Sequence, residues 1–253
     1  MPSRPSADLA VLKARLRALE HDGRAAAGVA PFGVPALDAA LPAGGLALGA
    51  LHEVAGGGAG AADGAAAALF AAGVVARRPG PVLWCVTRAD LFAPALCQAG
   101  LSPDRVIYVE ASDERSLMAC FEEGLRQGRG LAGVVAETTR LGLAASRRIQ
   151  LAAEASGGLG LAVRRWRRPA DAAAFGEPTA AATRWRVTAA PSSPLPTPGV
   201  GRARWFIELV RCRGGDATEF TLEACDETGH LALPAELAHR PAAQAAGRRS
   251  AAA

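Results

Sequence analysis

The stretch that most constrains this chain is rich in glycine and runs from Glu53 to Gly64, between an apolar run (46–51) and an alanine-rich run (65–76). A strand, a glycine-rich turn and a helix, in this order, hold phosphates in many nucleotide-binding α/β proteins. The pattern G-x-x-x-x-G-K-[ST] needs glycines for close backbone approach, a lysine for the terminal phosphates and a hydroxyl for Mg²⁺. This stretch has no lysine, serine or threonine, and the only lysine of the chain is Lys13. We therefore predict a degenerate phosphate loop without a cofactor, at Gly56, Gly57, Gly58, Gly60 and Gly64.

Strand and helix patterns alternate after this loop. Short apolar runs predict strands at 81–86, 105–109, 131–136 and 159–163, separated by predicted helices at 90–100, from 112 onward and at 141–156. Continuous apolar strands that alternate with helices indicate an α/β fold, with a mostly parallel sheet covered by helices on both faces. Beyond Arg164 we predict a loop (167–182) and then two or three antiparallel strands at the C-terminal end.

The N-terminal segment predicts an amphipathic helix over residues 7–22, with leucines at 3-4-3 spacing. The leucine stripe consists of Leu9, Leu12, Leu16 and Leu19. Two interpretations remain open: the stripe packs on its own domain, or it is a partner-binding helix on a flexible tether (23–30). The predicted organisation is an N-terminal helix and linker (1–30), a core domain (31–236) and a disordered tail rich in alanine and arginine (237–253).

Composition excludes several classes of protein. The cysteines Cys85, Cys97, Cys120, Cys212 and Cys225 have no C-x-x-C spacing, so neither a metal site nor a disulfide framework is expected. The N-terminus carries no apolar signal sequence, and no uninterrupted run of apolar residues is long enough to span a membrane. We therefore expect a cytoplasmic protein that has no membrane partner.

Four segments carry a resemblance to known proteins. Residues 32–41, followed by Gly44-Gly45-Leu46 and Glu53, resemble the entry to the phosphate loop in RecA-type recombinases. Residues 146–154 and 96–105, together with the end rich in arginine and tryptophan, are similar to proteins of the ImuA family. The resemblance covers residues 7–233 and implies a RecA-like fold.

The resemblance also implies a function. ImuA-type proteins are inducible RecA-like accessory factors of SOS mutagenesis, translesion synthesis and DNA repair. Their implied partners are an ImuB-type, Y-family-like protein and an error-prone C-family DNA polymerase. RecA is a further candidate partner.

The residues around the degenerate loop argue against catalysis. Where RecA-type ATPases carry a water-activating glutamate, this chain has Val86-Thr87-Arg88 and no carboxylate before Asp90. Glu137 is the one acidic residue in a plausible Mg²⁺-coordinating position, and Asp63 places negative charge in the loop itself. We expect a protein that is not an enzyme. The alternative is a divergent RecA-family, DNA-dependent ATPase that binds nucleotide by another route.

The C-terminal half is strongly basic. Residues 161–213 contain ten arginines and three acidic residues, a net charge of +7 against +4 for the whole chain. The candidate DNA- or partner-binding residues interleave arginine with tryptophan: Arg164, Arg165, Trp166, Arg167, Arg168, Arg184 and Arg186. Guanidinium groups neutralise phosphates and indoles stack on bases, as in single-stranded DNA surfaces. Three interpretations stay open: single-stranded DNA contact, a protein-partner surface without DNA, or tryptophans in the core with arginines in solvent.

Overall fold

The computed structural model describes residues 28–166, 169–192, 195 and 197–234. The predicted N-terminal helix and the predicted tail lie outside these residues. The strands are β1 (Val29–Ala30), β2 (Leu46–Ala47), β3 (Ala50–Gly56), β4 (Val82–Val86), β5 (Val106–Glu110), β6 (Gly133–Thr138), β7 (Leu159–Arg164), β8 (Thr183–Ala190), β9 (Arg204–Cys212) and β10 (Thr218–Glu223). The α-helices are α1 (Pro35–Ala39), α2 (Ala61–Ala76), α3 (Ala93–Gln98), α4 (Glu114–Arg126), α5 (Leu143–Ser156) and α6 (Pro169–Ala173).

Eight of these strands form one sheet, in the order β10-β9-β8-β3-β7-β6-β4-β5. The pairs from β8 through β3, β7, β6 and β4 to β5 are parallel. Strands β8, β9 and β10 pair antiparallel with one another. This arrangement confirms the predicted mostly parallel sheet with antiparallel strands at its C-terminal end.

Helices cover both faces of the sheet because its central strands are apolar on both sides. On one face, α2 packs small alanines against the sheet and adds Phe70 to an aromatic cluster. Phe70 lies 5.7 Å from Trp185 and 6.5 Å from Trp205, measured between ring centroids. On the other face, α4 buries Leu117, Phe121 and further apolar residues at helical spacing, and α5 packs beside it. The two tryptophans therefore belong to the core.

Local sequence signals explain where several elements begin and end. The side chain of Asp113 caps α4 by accepting a hydrogen bond from the backbone N–H of Ser116 at 2.7 Å, as the Ser112-Asp113-Glu114 motif predicts. Helix α5 ends at Ser156, because Gly157 after it adopts a φ of 72°, the left-handed conformation that terminates many helices. The central strands β3, β7, β6 and β4 are parallel, so their carboxyl ends lie at one edge of the sheet.

Two sequence predictions were wrong in detail. The apolar run that starts at Leu46 forms two strands instead of one, because Gly49 adopts a φ of 64° and turns the chain between β2 and β3. The segment 167–182, predicted as a loop, contains α6 and a 3₁₀ turn (Ala174–Gly176). Pro169 at the first helical position and Asp171 in the first turn favour a helix start, and alanines continue it.

Candidate functional site

The candidate site lies where β3, β4, β6 and β7 reach their carboxyl ends, which is the edge at which open α/β sheets bind ligands. The glycine-rich loop connects β3 to α2, and Gly60 is the residue before the first turn of α2. Residues Arg164 to Trp166 leave β7 on the opposite side of the same cleft. The cleft between them encloses about 280 Å³. Typical ligand pockets enclose about 300–1,000 Å³, so this cleft is small for a nucleotide.

The glycine loop is held directly against β8. The backbone N–H of Gly57 donates a hydrogen bond to the carbonyl of Val187 at 2.9 Å, so this amide is not available to a phosphate. A side chain at Gly57 would place its Cβ 1.7 Å from the hydroxyl oxygen of Thr188. Glycine is required here by close backbone approach to a neighbouring strand, and that requirement does not depend on a ligand.

Asp63 places a carboxylate across the loop. Its Oδ1 accepts a hydrogen bond from the backbone N–H of Ala189 on β8, at 2.9 Å. Its Oδ2 lies only 2.8 Å from the position that a Cβ at Gly58 would take. Asp63 also lies in the first turn of α2, where the helix dipole favours negative charge. The hydrogen bond to Ala189 therefore ties the first turn of α2 to β8, and the loop carries a negative charge of its own.

Glu137, the candidate for Mg²⁺ coordination, is engaged by the protein. Its Oε1 accepts a hydrogen bond from the indole N–H of Trp84 at 2.9 Å, and its Oε2 pairs with Arg165 at 2.9 Å. Burial raises the pKa of Glu137 above its ordinary value, while the Arg165 guanidinium opposes that shift. Arg165 also contacts Asp90 at 3.2 Å. The three charged side chains form a closed network at the carboxyl ends of β4, β6 and β7.

A second network, centred on Glu53, was not predicted from the sequence. Glu53 on β3 is fully buried, and its Oε1 lies 2.5 Å from a guanidinium nitrogen of Arg164 on β7. Its Oε2 accepts hydrogen bonds from Arg184 on β8 at 2.9 Å and from the hydroxyl of Thr179 at 3.1 Å. One carboxylate therefore joins three neighbouring strands. The available signal was a glutamate inside a buried strand, because such a charge requires a cationic partner.

Three of the predicted surface residues contact the aromatic ring of Phe175. Trp166 packs edge-on against Phe175, with 5.7 Å between the ring centroids. The guanidinium groups of Arg184 and Arg186 lie 5.1 Å and 5.8 Å from the centre of that ring, within cation–π range. Phe175 is not among the predicted site residues, because the sequence predicts an irregular loop for 167–182.

The structure separates the predicted binding arginines into three groups. Arg164 and Arg184 are 1% and 6% exposed and pair with Glu53, so they do not form part of an open surface. Arg165 and Arg186 are half-buried, and Arg186 lies 3.5 Å from Glu208. The remaining pair, Arg167 and Arg168, lies outside the described residues. The leucine stripe of residues 7–22 also lies outside them, and its partner-binding role stays a prediction.

The described residues contain neither a candidate metal site nor a candidate membrane span. No group of three histidine, cysteine, aspartate or glutamate side chains there is placed to hold a metal ion. Within the same residues, no helix is both long and apolar enough to cross a membrane.

Comparison with known proteins identifies the family. The chain is 42% identical over 246 residues to Protein ImuA of Caulobacter vibrioides strain NA1000 / CB15N, covering 91% of this chain and 99% of the relative. The chain belongs to the ImuA family. Protein ImuA of C. vibrioides strain ATCC 19089 / CB 15 matches with the same identity and coverage. No protein-family model matches the chain.

Among solved structures, the RadB recombinase is similar to this chain with a TM-score of 0.54. The match covers 80% of this chain and 98% of the RadB chain, at 18% sequence identity. At this identity the similarity shows the fold alone. It confirms the RecA-like fold that the sequence predicts for this ImuA-family chain.

Proposed function

We propose that this ImuA-family chain is a cytoplasmic accessory protein of SOS-induced mutagenesis and translesion DNA synthesis that acts through contacts and does not hydrolyse nucleotide. The observation that carries the proposal is the closure of the glycine loop. Asp63 and Gly57 of the loop are hydrogen-bonded to β8, and the loop supplies no lysine. A RecA-like fold with this loop retains its architecture and lacks the groups that bind the phosphates.

Electrostatics supports the absence of catalysis. Phosphoryl transfer depends on cations that neutralise the developing charge on the phosphoryl oxygens. Here Arg165, which faces the cleft, is already paired with two carboxylates, Glu137 and Asp90. Asp63 adds a negative charge to the glycine loop, where its carboxylate is held against β8. A triphosphate would therefore meet like charges in place of a lysine and a coordinated Mg²⁺.

An ATP hydrolysis assay tests this part of the proposal. The purified full-length chain is incubated with ATP and Mg²⁺, with and without single-stranded DNA, beside an active RecA-type ATPase as the positive control. We expect no turnover above the buffer background in either condition. Turnover stimulated by single-stranded DNA would establish the alternative, a divergent DNA-dependent ATPase.

DNA contact is a separate part of the proposal, supported by the charge of the C-terminal half. The surface proposed to meet single-stranded DNA consists of Arg165, Arg167, Arg168 and Arg186, beside Trp166. The test changes Arg167 and Arg168 together to alanine and keeps Arg164, because Arg164 pairs with the buried Glu53. The matched control is Arg115→Ala, an exposed arginine on α4.

DNA binding is then measured as a function of salt concentration. If two phosphate contacts are lost, the slope of log K against log [salt] falls by about 1.4 for single-stranded DNA. We expect that change in Arg167→Ala/Arg168→Ala and an unchanged slope in Arg115→Ala. Identical binding by all three proteins would leave the second candidate function, a protein adaptor without DNA contact.

The proposed protein partners are an ImuB-type protein, an error-prone C-family polymerase and RecA. A pull-down of the intact chain from cells treated with a DNA-damaging agent tests them directly. We expect the ImuB-type protein among the co-purifying species. Its absence, with the polymerase and RecA also absent, would contradict an accessory role in the mutagenesis machinery.

A further inference from the structure

A broad groove lies on the sheet face opposite α2, away from the candidate site. It encloses about 770 Å³ between α5 and the segment 176–180, next to the end of β9. Leu143 and Leu151 of α5 line it and are 39% and 63% exposed. Their spacing of eight residues places both on one side of the helix, about 12 Å apart. Exposed leucines at this spacing form an apolar strip that a second helix could cover.

Arg147 and Arg211 give the groove a positive charge. Arg147 stands one helical turn after Leu143, on the same side of α5. Arg211 donates a hydrogen bond to the carbonyl of Thr179 at 2.9 Å, which leaves its charge uncompensated. Within the described part of the chain, neither arginine has a carboxylate at ion-pair distance. Glu154 also lines the groove, which therefore fits a segment that offers leucines to the apolar strip and charges of both signs beside them.

The chain enters the described structure next to this groove. The carbonyl of Gly28 accepts a hydrogen bond from the N–H of Leu48 at 2.9 Å, and β1 runs antiparallel to β2. Upstream residues therefore leave towards Gly49. The side-chain amide of Gln150, a groove residue on α5, donates to the carbonyl of Gly49 at 3.3 Å. Gly28, where the described part of the chain begins, is therefore linked through Leu48 and Gly49 to a groove residue.

The pattern of residues 7–22 matches the groove in length. Leu9 and Leu19 are about 15 Å apart along a helix, comparable to the apolar strip of the groove. Asp8 and Glu20 adjoin these two leucines, whereas Lys13, Arg15 and Arg17 lie between them, so the segment carries charges of both signs. The five residues 23–27 span at most about 17 Å, enough to connect a helix in the groove to Gly28.

We propose that residues 7–22 of the same chain dock in this groove, with Leu12 and Leu16 against Leu143 and Leu151. The leucine stripe then packs on its own domain. The inference does not depend on the function proposed above, because it uses neither the glycine loop nor the basic surface.

Lys13 provides a direct test because it is the only lysine of the chain and lies within the docking segment. Endoproteinase Lys-C therefore has a single cleavage site in the full-length protein, and mass spectrometry follows the loss of residues 1–13. If the segment is docked for about nine-tenths of the time, cleavage is about tenfold slower than in a free peptide of residues 1–27. We expect that protection in the wild-type chain.

The groove variant is Leu143→Asp/Leu151→Asp, in which the docking surface is charged. The matched control is Phe92→Asp/Val200→Asp, which changes two apolar side chains that are 68% and 95% exposed and lie outside the groove. All four substituted positions are exposed, so unchanged thermal unfolding confirms that both variants fold. We expect cleavage about tenfold faster than wild type in the groove variant and wild-type cleavage in the control.

Three outcomes would overturn the proposal. The first is wild-type cleavage at the rate of the free peptide. The second is protection that persists in the groove variant, which would place the segment elsewhere. The third is protection that fades on dilution, because a segment held by a second copy of the chain is released as the concentration falls.

Discussion

Replacing Glu53 by glutamine tests whether one buried carboxylate holds three strands together. Glutamine has nearly the same shape, so the change removes charge without leaving a cavity. In either orientation the new NH₂ group faces a donor, because Arg164 contacts one carboxylate oxygen and Arg184 contacts the other. Two buried guanidinium groups then lose their charge partner while Thr139 and Glu177 carbonyls still accept their remaining N–H groups.

The expected loss of stability is large. Removing one partner of a buried ion pair costs about 3–5 kcal/mol, since the other charge stays buried without compensation. Domains of ordinary size have a total free energy of unfolding of about 5–15 kcal/mol, so the variant would lose a substantial fraction of it. With an m-value of about 3 kcal/mol per molar urea, the unfolding midpoint falls by about 1–2 M.

Urea unfolding at neutral pH, followed by circular dichroism and tryptophan fluorescence, measures this loss. The matched control is Glu208→Gln, whose partner Arg186 lies 3.5 Å away at a partly exposed site. That pair should contribute less than about 1 kcal/mol. The triple variant Glu53→Leu/Arg164→Met/Arg184→Met should recover most of the loss, because no charge is left unpaired. A Glu53→Gln midpoint equal to that of Glu208→Gln would refute the closed buried network.

Three further predictions concern single side chains. Burial raises the pKa of Glu137 above its ordinary value of 4.5. Its contribution to stability is therefore fully present below pH 4.5 and declines as the pH rises through the folded-state pKa. In urea titrations, the excess stability of wild type over Glu137→Gln should shrink with rising pH. Burial raises the pKa of the Cys85 thiol to about 12. A thiol reagent at neutral pH should therefore modify the exposed Cys97 readily and Cys85 only after unfolding. Rapid labelling of Cys85 in the folded chain would contradict its burial. Asp113→Ala removes the cap of α4 and should lower the urea midpoint of unfolding, and an unchanged midpoint would show that water replaces the cap.

Much of the fold could be predicted because its signals are local. Apolar runs of strand length, separated by amphipathic segments, define β4, β5, β6 and β7 with errors of a few residues. The short helix within 167–182 could not be predicted, because alanine, glycine and proline are compatible with both a short helix and an irregular segment. In the structure, the packing of Phe175 against Trp166 accompanies the short helical segment.

The candidate site was only partly predictable, because pairing is a long-range property. The missing lysine is visible in the sequence, whereas the hydrogen bond from Ala189 to Asp63 joins residues 126 positions apart. Arg164 and Arg184 resemble exposed basic residues in the sequence because each stands in a cluster that interleaves arginine with tryptophan. Their burial becomes evident only when β3 is placed between β7 and β8, which brings Glu53 beside both.

The carboxylate of Asp63 also limits how such a chain could regain nucleotide binding. A lysine introduced into the glycine loop would find Asp63 within reach and form an ion pair inside the protein, so its charge would be neutralised before a phosphate arrived. Removal of Asp63 alone would take away a negative charge and the hydrogen bond to Ala189 without supplying a cation. Each step by itself yields no gain in affinity, so reversal requires at least two coordinated substitutions. Single substitutions in a loop that keeps the hydrogen bond between Asp63 and β8 therefore do not create a phosphate-binding loop.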